Sequence, residues 1–492
     1  MIETFLMFID GDFVESGTQN WIESFDPSSG EAWARVPSAT KEDVDLAVKA
    51  AHRAMTVGPW ARMTAYERGR CLERLATIVR EKSEQLARLE TRDTGKLLRE
   101  TRGSCNYVPA FFEFFGGVAD KIGGKTFPID KPDLHVYTLR EPIGVVAAVV
   151  PWNSPLMLMS VKLGPALAAG NAVVIKPSEH ASVVLLEFAK LVKESGIPDG
   201  VVNIVTGYGT PVGDRLTRHP LVRRVAFTGG PETAREVVRN SAENFAFVTL
   251  ELGGKSPQII FADANIESAV NGVIAGIFGA SGQSCVAGSR LYIQSDIYET
   301  VVQEIIDRVK SIRIGHPLDL STEMGPLATE AQLKRFEQYL DLNESKGATT
   351  LSGGSRPKAL DKGWYVEPTV VECKKSGVPL LEDELFAPVL AVMPFIDEED
   401  AVKKANDSRF GLASGVWTQD IGRSHRMANL LDSGIVWINT YRAASPVAPF
   451  GGYWDSGQAR ESGADSILDY SQTKTVWVKT SDAPMEDPFK VQ

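Results

Sequence analysis

Three residues of this 492-residue chain have types that could act together on a carbonyl group. Cys285 lies in GQSCVAG, a run of small residues that leaves little to cover its sulfur. A free cysteine is ordinarily packed as a small hydrophobe, whereas a reactive one needs access and a local positive potential that lowers its pKa. Glu251, in LELGG, ends an apolar run and is followed by two glycines, which are expected to leave its side chain uncovered. Asn153, in PWNSP, is held between two prolines at the mouth of another apolar run. Taken singly, these have ordinary readings as a loop cysteine, a solvated carboxylate and a turn-forming asparagine. As a set they suit one reaction: a thiolate adds to a carbonyl, an amide N–H holds the oxyanion, and a carboxylate deprotonates the water that releases the acyl group.

The elements that would position them follow a regular pattern. From residue 143, five short apolar strands alternate with four helical stretches, ending at AFVTLEL. Strands apolar throughout are those covered by helices on both sheet faces, so a doubly wound, largely parallel α/β sheet is expected, with ligands at the carboxyl ends of its strands. Those ends read PWN, KPSE, TGYG, FTGG and LELGG. A second α/β series begins near Ser256. Its helix, from Ile266 to Phe278, has apolar residues at helical spacing, a cap from Asp263 or Asn265, and Gly279 at its end, which puts Cys285 in the loop just beyond. Two glycine-rich turns, GYGTPVG with Gly207, Gly209 and Gly213, and FTGGPETA with Gly229 and Gly230, follow strands and precede helices, yet neither fits GxGxxG. Lys176 and Glu179, in KPSE, stand where either could reach ribose hydroxyls.

Composition narrows the partners. The chain carries 52 basic and 63 acidic residues, net charge -11, with the signs mixed along its length, which argues against nucleic acid or an anionic membrane. Cys71, Cys105, Cys285 and Cys373 are widely spaced with no CxxC pair, so neither a disulfide nor a metal site is expected, and a reducing, cytoplasmic setting fits best. The opening MIETFLMFIDGDF lacks a basic leader, and the longest apolar run falls short of the roughly 18 residues of a membrane helix. The segment Lys125 to Arg140 and the tail TKTVWVK read as strands with alternating side chains. Such strands need partners for their backbone groups, and association between subunits is one source.

The motifs PWNSP, KPSE, FTGG, LELGGKSP, GQSC, ELFAPV, WINTY and PFGGYWDSG, in this order, closely resemble the aldehyde dehydrogenase superfamily of the hydrolytic, NAD(P)-dependent type. The resemblance implies a Rossmann-like NAD-binding domain from 1–123 and 143–253, and an α/β catalytic domain at 254–455. It also implies a small β oligomerisation element, 124–142 and 471–492, that joins subunits into homodimers or homotetramers. By matching motifs, Cys285 would be the nucleophile, Glu251 the general base, and Asn153 with the Cys285 backbone N–H the oxyanion hole. Trp152, Lys176, Glu179, Gly209, Gly229, Gly230, Glu384 and Phe386 would hold the cofactor, with Asn439 orienting its nicotinamide end. NAD is expected because the Glu179 carboxylate repels a 2′-phosphate, while Lys176 leaves NADP open. No His is near GQSC, so the cofactor's positive charge and backbone dipoles would have to lower the thiol pKa.

The substrate pocket implied by the resemblance includes Ser154, Met157, Gly279, Arg442 and Phe450. Small residues at 154 and 279 suggest room for a bulky aldehyde. Arg442 could pair with a substrate carboxylate, or be satisfied internally. Two departures stand out: Gly230 where many relatives have Ser, and Ala387 before Pro388 where Gly-Pro is common. A coenzyme A-acylating relative is the alternative, and Glu251 argues against it because transfer to a thiol needs no water-activating carboxylate.

Overall fold

Residues 145–150, VVAAVV, offer water no polar side chain, and they form a central strand of an eight-stranded sheet. The computed structural model describes residues 2–374 and 377–489. Across the sheet the strands run Gly457–Gln458, Phe247–Glu251, Val222–Thr228, Val145–Val150, Ala172–Pro177, Val202–Ile204, Met7–Ile9 and Asp12–Val14. The five between Phe247 and Ile204 are mutually parallel, Gly457–Gln458 and Met7–Ile9 flank them antiparallel, and Asp12–Val14 pairs antiparallel with Met7–Ile9 at the edge. The chain moves outward from Val145–Val150 in one direction, then returns to add Val222–Thr228 on its other side. This reversal opens a crevice at the carboxyl ends of those two strands, the general place for ligands in such sheets. Asn153 follows one strand and Gly229 the other.

The expected helices are present at Pro155–Ala168, Val183–Glu194, Asp214–Arg218 and Pro231–Ser241, the third shorter than its sequence suggests because residues 209–213 form a wide turn. Helices Ala65–Glu81 and Leu98–Val118 pack through Leu72, Leu75, Phe112 and Phe115 into the same core as Val146 and Ile175.

The second sheet has seven strands in the order Ala348–Ser352, Thr369–Cys373, Val389–Phe395, Arg290–Gln294, Pro257–Ile260, Ala413–Trp417 and Ile435–Ile438, all parallel but the first. Helix Ile266–Phe278 is capped by Asn265, whose side-chain oxygen accepts the Ser268 N–H at 2.9 Å. Asp263 instead accepts from Thr418, Gln419 and Asp420, tying the helix start to a neighbouring loop.

The two lone strands find each other. Leu134–Pro142 pairs antiparallel with Ser471–Lys479 over nine positions, and Thr126–Phe127 covers its other side. The outer edge of Ser471–Lys479 has no neighbour among the described residues, and Trp477 there is 57% exposed. Residues 490–492, the end of the expected oligomerisation element, lie outside the described residues. No helix of the described residues is long and apolar enough to cross a membrane.

Candidate active site

Three segments converge on Cys285. Its loop leaves the helix through Ala280 and Ser281, both with positive φ (54° and 53°), a conformation costly for non-glycine residues and so imposed by the surrounding packing. Gly282 follows, and a Cβ there would lie 2.3 Å from the Ala387 carbonyl oxygen, so only glycine lets this loop lie against the turn after Phe386. The Asn153 amide N–H donates to the Gln283 carbonyl at 3.1 Å, and Gln283 in turn accepts the Ala328 N–H at 2.8 Å. Asn153 is thereby oriented by the cysteine loop itself.

Cys285 is half-buried rather than uncovered, because Val286, Leu412, Ala413, Trp437, Tyr441 and Phe450 form an apolar wall beside it. Burial, then the negative charges of Glu384 and Glu251, push its thiol up to about 12, against the opposing effects of Arg442 and the Val286 N–H. The protein alone therefore keeps this thiol neutral, and the thiolate needs added positive charge in the cleft.

Glu251 corrects an expectation. It is 4% exposed, and the glycines after it serve other groups: a Cβ at Gly253 would meet Glu384 Oε2 at 1.9 Å, and one at Gly254 would meet the Cys285 carbonyl oxygen at 2.6 Å. Neither Glu251 oxygen has a hydrogen-bond partner among the described residues. Burial and the adjacent Glu461 raise its pKa well above the ordinary value, with Lys162 and Arg460 opposing. Lys162, fully buried, donates to Thr228 Oγ1 at 2.6 Å and to Glu461. A carboxyl raised in this way is a stronger base once ionised, which suits proton abstraction near neutral pH.

A cavity of about 600 Å³ lies at the carboxyl ends of the first sheet, lined in part by Trp152, Lys176, Glu179, Gly209, Gly229 and Gly230. A second, of about 220 Å³, shares Trp152, Gly229 and Gly230 with it and adds Asn153, Cys285, Glu384 and Phe386. All eight residues expected to hold a cofactor thus border one cleft that ends at the cysteine. A Cβ at Gly209 or Gly230 would meet no atom within 4 Å, so both backbones are open toward the cleft. Gly230 also precedes the first turn of Pro231–Ser241, whose unpaired N–H groups suit a pyrophosphate without the missing serine hydroxyl. Lys176 donates to the Pro177 carbonyl at 3.0 Å and lies 3.8 Å from Glu179.

Glu384 accepts the Gly254 N–H at 3.0 Å, and burial pushes it up to about 7 despite that bond and the nearby Lys255, Arg335 and Arg409. Phe386 has a positive φ of 61°, and its ring stands perpendicular to Trp152 at 5.4 Å. Helix Glu330–Ser345 holds this segment: Arg335 donates to the Glu384 carbonyl at 2.7 Å and Gln332 to the Phe386 carbonyl at 3.0 Å. Both side chains line the smaller cavity, and sequence reading missed both; their one signal is the i, i+3 spacing on a helix. Asn439 does not border either cavity, since its amide is spent on the Thr418 backbone at 2.8 and 3.1 Å.

The expected substrate-side residues also need one correction. Phe450 belongs to the wall beside Cys285, and Met157 is partly buried against the large core. Ser154 and Gly279, however, do not leave open room. The Ser154 hydroxyl accepts from the buried Lys96 ammonium, and the Arg442 guanidinium stands 2.5 Å from where a Gly279 Cβ would be. Arg442 also donates to the Ala275 carbonyl at 3.1 Å.

The aldehyde dehydrogenase family model matches residues 13–476. A (Z)-2-((N-methylformamido)methylene)-5-hydroxybutyrolactone dehydrogenase of Acinetobacter baylyi is 49% identical over 99% of both chains. A betaine aldehyde dehydrogenase of Brucella anthropi is 41% identical over 96% of both. The NAD+ complex of an aldehyde dehydrogenase from Bacillus cereus superimposes with a TM-score of 0.95 at 42% identity, covering 97% of each chain. With this likeness along its whole length and a cleft that ends at a cysteine, the chain belongs to the aldehyde dehydrogenase family and is an NAD-dependent oxidoreductase acting on an aldehyde.

Proposed function

We propose that Cys285 is the nucleophile, Glu251 the base that activates water, and Asn153 with the Cys285 backbone N–H the oxyanion donors. Trp152, Lys176, Glu179, Gly209, Gly229, Gly230, Glu384 and Phe386 hold NAD in this reading. The single observation that carries it is the continuous cleft in which these cofactor residues lead to Cys285 and Asn153.

Cys285 Sγ, once its proton has passed to solvent, adds to the aldehyde carbon as the C=O π bond breaks, and the carbonyl oxygen becomes an oxyanion. The bond from Asn153 to Gln283 fixes the plane of the amide, leaving its second N–H to donate to that oxygen. When bound, NAD supplies the hydride acceptor and the positive charge that the neutral thiol lacks. The protein's part is to hold the resulting thioester on Cys285 until Glu251 takes a proton from water, whose oxygen then attacks the acyl carbon and displaces the sulfur. Lys162 holds the Glu461 charge beside Glu251 and so limits how far its pKa rises. The buried carboxylate supports release to water over release to coenzyme A.

Two further readings belong here. The edge of Ser471–Lys479, without a neighbour among the described residues and with Trp477 exposed, supports pairing with a second copy, hence a homodimer or homotetramer, which sedimentation velocity would measure. The four cysteines are free, in keeping with a reducing cytoplasm. The relatives are named for different substrates, so this chain's own pocket bears on its aldehyde. The roles are tested by Cys285→Ala, which should bind NAD yet form no NADH with any aldehyde; turnover in that variant would refute them.

A further inference from the structure

Two cations occupy the places that small residues leave open beside Cys285. Lys96 lies in the short link between helices Ser83–Thr94 and Leu98–Val118, and its ammonium is buried. Among the described residues its only hydrogen-bond acceptor is Ser154 Oγ, one residue beyond Asn153. An ammonium has three N–H groups, and burying one without matching acceptors is costly. Arg442 is half-buried with a positive φ of 64°, and its guanidinium fills the space above Gly279. Among the described residues only one of its five donors is used, on the Ala275 carbonyl.

Two acids stand near the pair and offset part of its charge. Glu100 spends its oxygens on the Leu97 and Ala280 N–H groups, at 3.1 and 2.7 Å. Glu90 is fully buried with neither oxygen hydrogen-bonded; burial raises its pKa and lowers that of Lys96, and their mutual attraction opposes both shifts. Lys96 and Arg442 each interact electrostatically with the other and with Cys285. Neither lines the cofactor cleft; Lys96 reaches the residue after Asn153, and Arg442 the residue that opens the loop leading to Cys285.

We propose that Lys96 and Arg442 form an anion-binding end of the substrate pocket, and that the aldehyde this enzyme oxidises carries a carboxylate remote from its carbonyl. The inference rests on Cys285 being the nucleophile. A carboxylate suits the pair because the planar guanidinium can bind it in a bidentate manner while the ammonium supplies a point charge.

The test compares kcat/KM, read by NADH formation, for three aldehydes of equal length ending in a carboxylate, its methyl ester and a trimethylammonium group. The wild type should favour the carboxylate over the ester by about a hundredfold, with the cation poorest. In Lys96→Met and Arg442→Met the carboxylate-to-ester ratio should fall roughly tenfold or more, chiefly through KM, and Lys96→Arg and Arg442→Lys should restore most of it. Gly279→Ala, whose Cβ would meet Arg442 at 2.5 Å, displaces the guanidinium without removing charge and should lower the same ratio. If Lys96→Met does not fold, the Arg442 and Gly279 variants carry the test. A wild-type ratio near one, or ratios unchanged in the variants, overturns the proposal and leaves the Cys285 reading standing. Failure of the wild type to oxidise all three with NAD overturns that reading, and the proposal with it.

Discussion

Replacing Gly253 by Ala puts a Cβ 1.9 Å from Glu384 Oε2 and 2.4 Å from its Cδ, far inside any real contact. The group in the way is the far end of a flexible side chain, so Glu384 swings aside and the fold keeps most of its stability. What the site loses is the seat of that carboxylate, its 3.0 Å bond from the Gly254 N–H. A hydrogen bond to a charged group contributes about 1.5–3 kcal/mol, and each 1.4 kcal/mol is about tenfold in affinity, so NAD should bind roughly 10- to 100-fold more weakly. Calorimetric titration with NAD of the wild type, Gly253→Ala, Glu384→Gln and the double variant measures this, with melting curves as the control for folding. Both single changes remove the same interaction, so the double variant should bind little worse than the weaker single one. Wild-type affinity in Gly253→Ala, or fully additive losses in the double variant, would refute the reasoning.

Burial holds Glu384 up to about 7, so the carboxylate that would accept ribose hydroxyls in the proposed reading forms only as pH rises through that value. NAD affinity should therefore tighten between roughly pH 6 and 8 and level off above, and Glu384→Gln should flatten the profile. The same shift lets the folded chain keep a proton between the ordinary 4.5 and about 7 that the unfolded chain releases, so this residue's contribution to stability declines as pH rises across that window. Glu251→Gln should retain the first burst of NADH in stopped flow while steady-state turnover falls by about 10²–10⁴. Lys162→Met leaves Glu461 buried without its cation, which should cost about 3–5 kcal/mol in denaturant unfolding. It also removes a group that lowers the Glu251 pKa, so the rise of deacylation rate with pH should move to higher pH.

Much of the architecture was legible because it follows from local pattern. The runs GVVAAVV and NAVVIKP are apolar on both faces, and Ile266, Val270, Val273 and Ile277 repeat at helical spacing, so strand, helix and loop around Cys285 could be placed from sequence. Long-range pairing was not legible. Nothing local says that residues 134–142 meet 471–479, which the family resemblance alone grouped into one β element, or that Gln332 and Arg335 reach the Glu384–Phe386 segment, since such contacts depend on the assembled fold. Residue type also misled where it stood for exposure. The glycines after Glu251 make room for Glu384 and the Cys285 carbonyl rather than for solvent, and the small residues at 154 and 279 admit Lys96 and Arg442 rather than empty volume. A glycine reports close approach, and only the structure says of what.

The central claim is that the aldehyde is oxidised while covalently attached to Cys285. Intact-mass and peptide mapping of Glu251→Gln, mixed with NAD and an aldehyde it turns over, tests this directly. The account predicts an adduct on the peptide holding Cys285 whose mass is that of the aldehyde less two hydrogens, as a thioester requires. An adduct on another residue, or NADH formed with no acyl group on the protein at any time, would contradict it.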